Sequence, residues 1–167
     1  RVAIVNLGCP KNQVDAEVML GLLRDGGFEL SADPAGADAV VVNTCGFIAD
    51  AKEESIKALL DIAYLKQSGR VRAVVAAGCL AQRYAGELRG QIPEIDAFIG
   101  IGEQHHVVDA VREALSGHAY DAVGVPHAVL PEDLPRVLST PPWTAYVKIA
   151  DGCDRPCAFC AIPKIRG

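Results

Sequence analysis

Hydrophobic and polar positions alternate between two periods along the first two thirds of the chain. Residues 1–6 (Arg1-Val-Ala-Ile-Val-Asn6) form a short, nearly continuous apolar run, the pattern of a strand covered on both faces. Val14, Val18 and Leu22 then recur every four residues, which predicts a helix from Asn12 to Arg24, with Asn12 as its cap and Gly26-Gly27 as its stop. Phe28–Ala32 and Ala39–Asn43 read as further strands. A long helix is expected from Phe47 to Gln67, with Ile48, Ile56, Leu59, Leu60 and Ala63 inward and Lys52, Glu53, Glu54 and Lys57 toward water. The same alternation continues through a strand at Val71–Ala77, a helix at Gln82–Arg89, a strand at Ala97–Ile99 and a helix at Glu103–Leu115. Strands separated by helices predict an α/β fold, a parallel sheet with flanking helices.

That pattern stops near residue 116. Prolines and glycines crowd the next stretch, so the expected organisation is an α/β domain over 1–116, a linker over 117–142 and a second unit over 143–167. The second unit opens with a strand-like run, Thr144–Ile149, on which Trp143 is the expected anchor. One strand and one loop make no core, and the chain begins with Arg1 and stops at Gly167, so it reads as a piece of a longer protein.

Composition narrows the chemistry. Half of the 167 residues are hydrophobic, enough for a sizeable core, and the net charge of −5 argues against a general phosphate-binding surface. No apolar run reaches the roughly 18 residues of a membrane span, and no secretory leader is visible, so a cytoplasmic protein without a membrane partner is expected. In that compartment the six cysteines are metal ligands in preference to three disulfides.

The cysteines fall into two groups of three. Cys153, Cys157 and Cys160 are packed into eight residues, with Phe159 between the last two. Thiolates select zinc, copper(I) or iron–sulfur clusters, and a structural zinc site takes four protein ligands, so three close cysteines suggest a centre left one ligand short. Cys9, Cys45 and Cys79 are far apart in sequence, yet each follows a predicted strand, precedes a predicted helix and adjoins a glycine: Gly8, Gly46 and Gly78. In an open α/β sheet that edge is where ligands bind. Asn12, Asn43 and Thr44 are candidate tuning groups there, and capping explains them equally well. On spacing alone, three unrelated core thiols stand as the alternative.

Cys153-Asp-Arg-Pro-Cys157-Ala-Phe159-Cys160 resembles the cluster loop of radical S-adenosylmethionine (SAM) enzymes. Leu7-Gly-Cys-Pro-Lys-Asn12, Asn43-Thr-Cys-Gly-Phe-Ile48 and Ala77-Gly-Cys79 resemble the N-terminal domain of the methylthiotransferases, in their ribosomal-protein-modifying branch. The resemblance implies two 4Fe–4S clusters. Cys153, Cys157 and Cys160 would hold the one that binds and cleaves SAM, with Phe159 packed beside the cofactor, and Cys9, Cys45 and Cys79 an auxiliary one that carries the transferred sulfur. It also implies the first strand and cluster loop of a TIM-like radical SAM barrel over 143–167, and an electron donor such as flavodoxin or ferredoxin. The implied substrate is an aspartate β-carbon in the decoding-centre protein of the small ribosomal subunit, with tRNA adenosine as the alternative, and this piece alone is expected to be inactive. A zinc-binding module completed by His118 and His127 is the non-enzyme reading. His105 and His106 are surface residues more often than ligands, Glu53-Glu54 reads as a solvated helix face, and Lys164 and Arg166 receive no role.

Overall fold

In the computed structural model the valine-rich runs pair into a parallel sheet. Residues 1–126 and 133–167 are described. The strands are β1 (Val2–Asn6), β2 (Leu30–Ser31), β3 (Ala39–Thr44), β4 (Ala73–Gly78), β5 (Ala97–Ile99) and β6 (Tyr120–Ala122), and they lie in the order β2-β1-β3-β4-β5-β6. Among the described residues five α-helices accompany them: α1 (Pro10–Asp25), α2 (Ala49–Gln67), α3 (Cys79–Gln91), α4 (Val107–Leu115) and the short α5 (Ile162–Arg166). The chain first winds outward to β2 and then returns to place β3 on the other side of β1. This reversal opens a crevice between the carboxyl ends of β1 and β3, the ordinary ligand position of a doubly wound sheet.

Alternation along the strands divides the core. Val40, Val42, Val74 and Ala76 face one layer with Leu59, Ile62, Ala63 and Leu80 from α2 and α3. Ala39, Val41, Ala73 and Val75 face the other, with Met19 and Leu23 from α1 and Val107, Ala110 and Val111 from α4. β3 and β4 are buried along their whole length, which is why they read as unbroken apolar runs. Their register sets Thr44 opposite Gly78, and Asn6 lies opposite Asn43.

Several local expectations change. Cys9, not Asn12, is the N-cap of α1, with Pro10 in the first turn, because the Asn12 side chain is drawn into the loops beside it. The inward face of α2 is Ser55, Leu59, Ile62 and Ala63, whereas Ile48, Ile56 and Leu60 are exposed. Residues 104–106 form a 3₁₀ turn before α4 instead of its first turn. Tyr120–Ala122, inside the span read as linker, adds the edge strand β6 beside β5. Thr144–Ile149 has no ladder partner among the described residues and is irregular, since a strand exists only by pairing. Trp143 is 82% exposed there and anchors nothing.

Candidate metal centre

The crevice at the reversal point brings together the first three cysteines. Leu7 N–H donates to Asn43 O at 3.0 Å, extending the β1–β3 pairing one residue beyond the ladder and delivering Cys9 to the sheet edge. Cys45 and Cys79 each follow directly on the Thr44–Gly78 pair, so they leave the sheet at the same level. Neighbouring strands lie about 4.8 Å apart, so three remote sequence positions become spatial neighbours. Cys45 and Cys79 are buried and Cys9 is exposed. A concavity of about 500 Å³ opens on this edge, lined by Gly8, Cys9, Cys45, Phe47, Ile48 and Glu54 among others.

The adjoining glycines are required sterically. Gly8 has φ +100°, and a Cβ there would stand 2.9 Å from Cys45 Cβ and 3.2 Å from its sulfur. Gly78 has φ +90°, and a Cβ would meet Asn43 Oδ1 at 2.5 Å. Only glycine takes that backbone at low cost.

Helix starts face the same edge. Cys9 caps α1 with no side-chain hydrogen bond, Cys79 is the first residue of α3, and α2 begins four residues after Cys45. The amide ends of helices favour an anionic group. Burial pushes the Cys79 thiol above its ordinary value, and the Arg166 guanidinium partly offsets this. A soft donor set of three cysteines, Cys9 and Cys45 lining the open cavity and Cys79 buried behind it, fits an iron–sulfur cluster.

Polar groups brace the cysteines. Ser55 Oγ accepts from Cys45 N–H at 2.9 Å and donates to Cys45 O at 3.1 Å, reaching back from α2. Thr44 Oγ1 donates to Ala77 O at 2.6 Å and accepts from Ala81 N–H in the first turn of α3. Asn12 Nδ2 donates to Leu7 O at 2.8 Å and to Thr44 O at 3.0 Å, and Cys79 Sγ lies 3.7 Å from Asn12 Oδ1. Asn12 therefore touches the chain beside all three cysteines. Asn43 Nδ2 donates to Asn6 Oδ1 and Asn12 O, both at 2.8 Å.

The second group is built differently. Cys153 and Cys157 are exposed and Cys160 is half-buried, in a loop whose internal order is a turn closed by Cys160 N–H to Cys157 O at 3.1 Å. Of the three, Cys153 borders a concavity of about 680 Å³, lined also by Asp151, Gly152, Pro163 and Gly167. Phe159 is 93% exposed. The thiolate donor set fits a cluster here too, and the loop leaves it open to solvent.

The histidines are spoken for locally. His106 Nδ1 lies 3.0 Å from Tyr120 Oη, and Glu103 Oε2 is 3.5 Å from His106 Nε2 and 3.9 Å from His105 Nε2. Among the described residues these three are the one group of potential ligands whose donor atoms all lie within 4.8 Å of one another. His118 pairs with Glu113 at 3.0 Å, and His127 lies outside the described residues. Glu53 and Glu54 are exposed on α2, as a solvated face requires.

Residues 1–100 match the model of the uncharacterized protein family UPF0004. The chain belongs to that family. Along its full length it is 49% identical to the ribosomal protein uS12 methylthiotransferase RimO of Pelotomaculum thermopropionicum and 53% identical to the protein of that name from Heliobacterium modesticaldum. A third relative so named, from Desulforamulus reducens, is 52% identical over 99% of the chain. The chain spans 36 to 38% of the length of these relatives. The UPF0004 match covers β1 through β5, the part of the sheet that carries Cys9, Cys45 and Cys79.

Charged residues are buried on α1 and at the end of α5. Asp15 and Glu17 sit on α1 and are nearly inaccessible, as is Arg166. Glu17 accepts from Arg136 Nε at 2.8 Å and Nη2 at 2.5 Å, and from Ser139 N–H at 2.9 Å. Burial alone would raise its carboxyl, but the Ser139 and Arg136 hydrogen bonds win and hold it below its ordinary 4.5. Polar residues are frequent in the first half of α1, so no periodic signal in the sequence sets Asp15 or Glu17 apart.

Proposed function

We propose that this chain is the cofactor-bearing N-terminal part of a radical SAM methylthiotransferase that modifies an aspartate of the small-subunit ribosomal protein uS12. The observation that carries this reading is the convergence of Cys9, Cys45 and Cys79 on the crevice between adjacent parallel strands, in a chain whose last eighteen residues present a second three-cysteine loop. The names of the relatives support the substrate.

Cys9, Cys45 and Cys79 would hold an auxiliary 4Fe–4S cluster, and Cys153, Cys157 and Cys160 the SAM-binding one, with an electron donor such as flavodoxin or ferredoxin. When bound, these groups and SAM supply hydrogen abstraction from an unactivated carbon and delivery of a methylthio group. The chain's own contribution is placement. Ser55 and Thr44 fix the backbone at Cys45 and at the start of α3, the glycines let the loops approach, and the helix starts offer positive ends to an anionic cluster. Phe159, exposed in the loop, is free to cover the bound cofactor. Among the described residues no helix is long and apolar enough to cross a membrane, which suits the cytoplasmic compartment this substrate implies.

The test is a parallel assay of the full-length enzyme, reconstituted without oxygen, on uS12 and on tRNA. A mass gain of one methylthio group on uS12 alone is expected. Gain on tRNA alone would move the protein to the other substrate class, and stoichiometric zinc with no iron–thiolate absorption would make it a structural module.

A further inference from the structure

Arg166 is the last side chain of α5 and is 6% exposed as a residue, an unusual place for a guanidinium. Its Nη1 donates to both oxygens of Asp151 at 2.9 and 3.0 Å, and its Nη2 donates to Asp15 Oδ2 at 2.9 Å and Asn12 Oδ1 at 2.8 Å. Lys148 completes the charge balance, bonding Asp15 at 2.7 Å and Asp151 at 3.1 Å. Two buried or half-buried carboxylates thus face two cations, which satisfies the condition for keeping charges out of water. Lys11 reaches across from α1 to Ala150 O at 3.0 Å, and Ile165 packs with Cys79 and Ile101.

What sets Arg166 apart is which pieces it joins. Asp151 lies two residues before Cys153, and Cys153 N–H donates to Gly167 O at 2.9 Å, immediately after Arg166. Asn12, on the other side, holds the carbonyl of Leu7, two residues before Cys9, and that of Thr44, next to Cys45, and lies against the Cys79 sulfur. One planar fork therefore spans both three-cysteine groups without belonging to either, a geometry that lysine cannot reproduce.

We propose that Arg166 is a positioning residue: through Asn12, Asp15 and Asp151 it latches the Cys153–Cys160 loop onto the N-terminal cysteine site and fixes the separation of the two clusters. This rests on the two-cluster reading. The separation would matter because the two sites would have to serve one substrate atom, and misplacement by about 1 Å can cost about a hundredfold in rate.

Two measurements on the full-length protein test it. In the metal-free protein, hydrogen exchange at the amides of Cys153 and Lys164 should be at least tenfold faster in Arg166→Met than in wild type, with α1 and β3 unchanged. In the protein loaded with both clusters and reduced, the magnetic coupling between them, read by electron paramagnetic resonance, should weaken in Arg166→Met and stay weak in Arg166→Lys at unchanged iron content. Wild-type exchange and wild-type coupling in the variants would overturn the latch. If Arg166→Met does not fold, Asp15→Asn and Arg166→Lys make the same comparison. A wild-type protein holding a single cluster would refute the two-cluster reading, and the exchange result would still judge the latch.

Discussion

The two three-cysteine groups carry similar donor chemistry on opposite kinds of scaffold. Cys9, Cys45 and Cys79 hang from three adjacent strands whose shared ladders run their length, and the loops between strand and helix are braced by glycine, serine, threonine and asparagine. Cys153, Cys157 and Cys160 sit close in sequence, in an exposed loop whose order comes from one turn and from contacts at its two ends. The first group is assembled by tertiary structure and the second by sequence proximity. A preorganised site needs neighbours that lock its backbone, whereas a local loop has to be docked.

The sharpest way to break the comparison is to remove ligands. Alanine at Cys9, Cys45 or Cys79 is expected to remove about four of about eight irons per full-length chain and to abolish methylthio transfer while sparing SAM cleavage. Alanine at Cys153, Cys157 or Cys160 should abolish both, as checked by iron analysis and product chromatography. Iron content unaltered by Cys9→Ala would remove the auxiliary site altogether.

Next in size is the buried pairing that holds the connection to α1. Arg136→Met leaves Glu17 charged and fully buried, which should cost about 3–5 kcal/mol in urea unfolding. The sign with pH follows from the lowered Glu17 carboxyl. Its contribution is complete above the ordinary 4.5 and is lost as pH falls through the folded-state value, so wild type should lose stability below pH 4.5. Arg136→Met should show less of that loss.

The bracing of the first group predicts smaller effects. Gly78→Ala combines a φ of +90° with a 2.5 Å approach to Asn43 Oδ1, and strain of about 1–3 kcal/mol is expected before any clash is relieved. Ser55→Ala leaves both backbone polar groups of Cys45 without their partner, at about 1–3 kcal/mol, again by urea unfolding. Smallest of all, Trp143→Ala and Phe159→Ala in the exposed segment should change stability by less than about 0.5 kcal/mol. On the proposed reading, in which the exposed Phe159 covers the bound cofactor, SAM cleavage should nevertheless fall in Phe159→Ala.

Much of this was legible in the chain. The valine runs at β1, β3 and β4 announced themselves because both faces are covered, and the strand–glycine–cysteine sequence marked the edge that carries the site. Other features were hidden for identifiable reasons. β6 is three residues long and half exposed, so it shows no apolar run within a stretch rich in proline and glycine. Thr144–Ile149 has strand composition, but composition does not supply a partner. The inward face of α2 departs from its apolar pattern because Ser55 is buried for its hydrogen bonds to Cys45, which shifts the inward stripe by part of a turn.

By itself the sequence determined the α/β class, the six candidate ligands and their division into threes, since strand and helix periods and cysteine spacing are local properties. Tertiary structure alone decided that β1, β3 and β4 are neighbours, that Asn12 reaches all three of their cysteine loops, and that Arg166 ties those loops to the last one. Residues such as Asp15, Asp151 and Arg166 carry no local pattern. They are placed by the energetic demand that a buried charge find its opposite, and that demand is met only where distant segments of the chain come together.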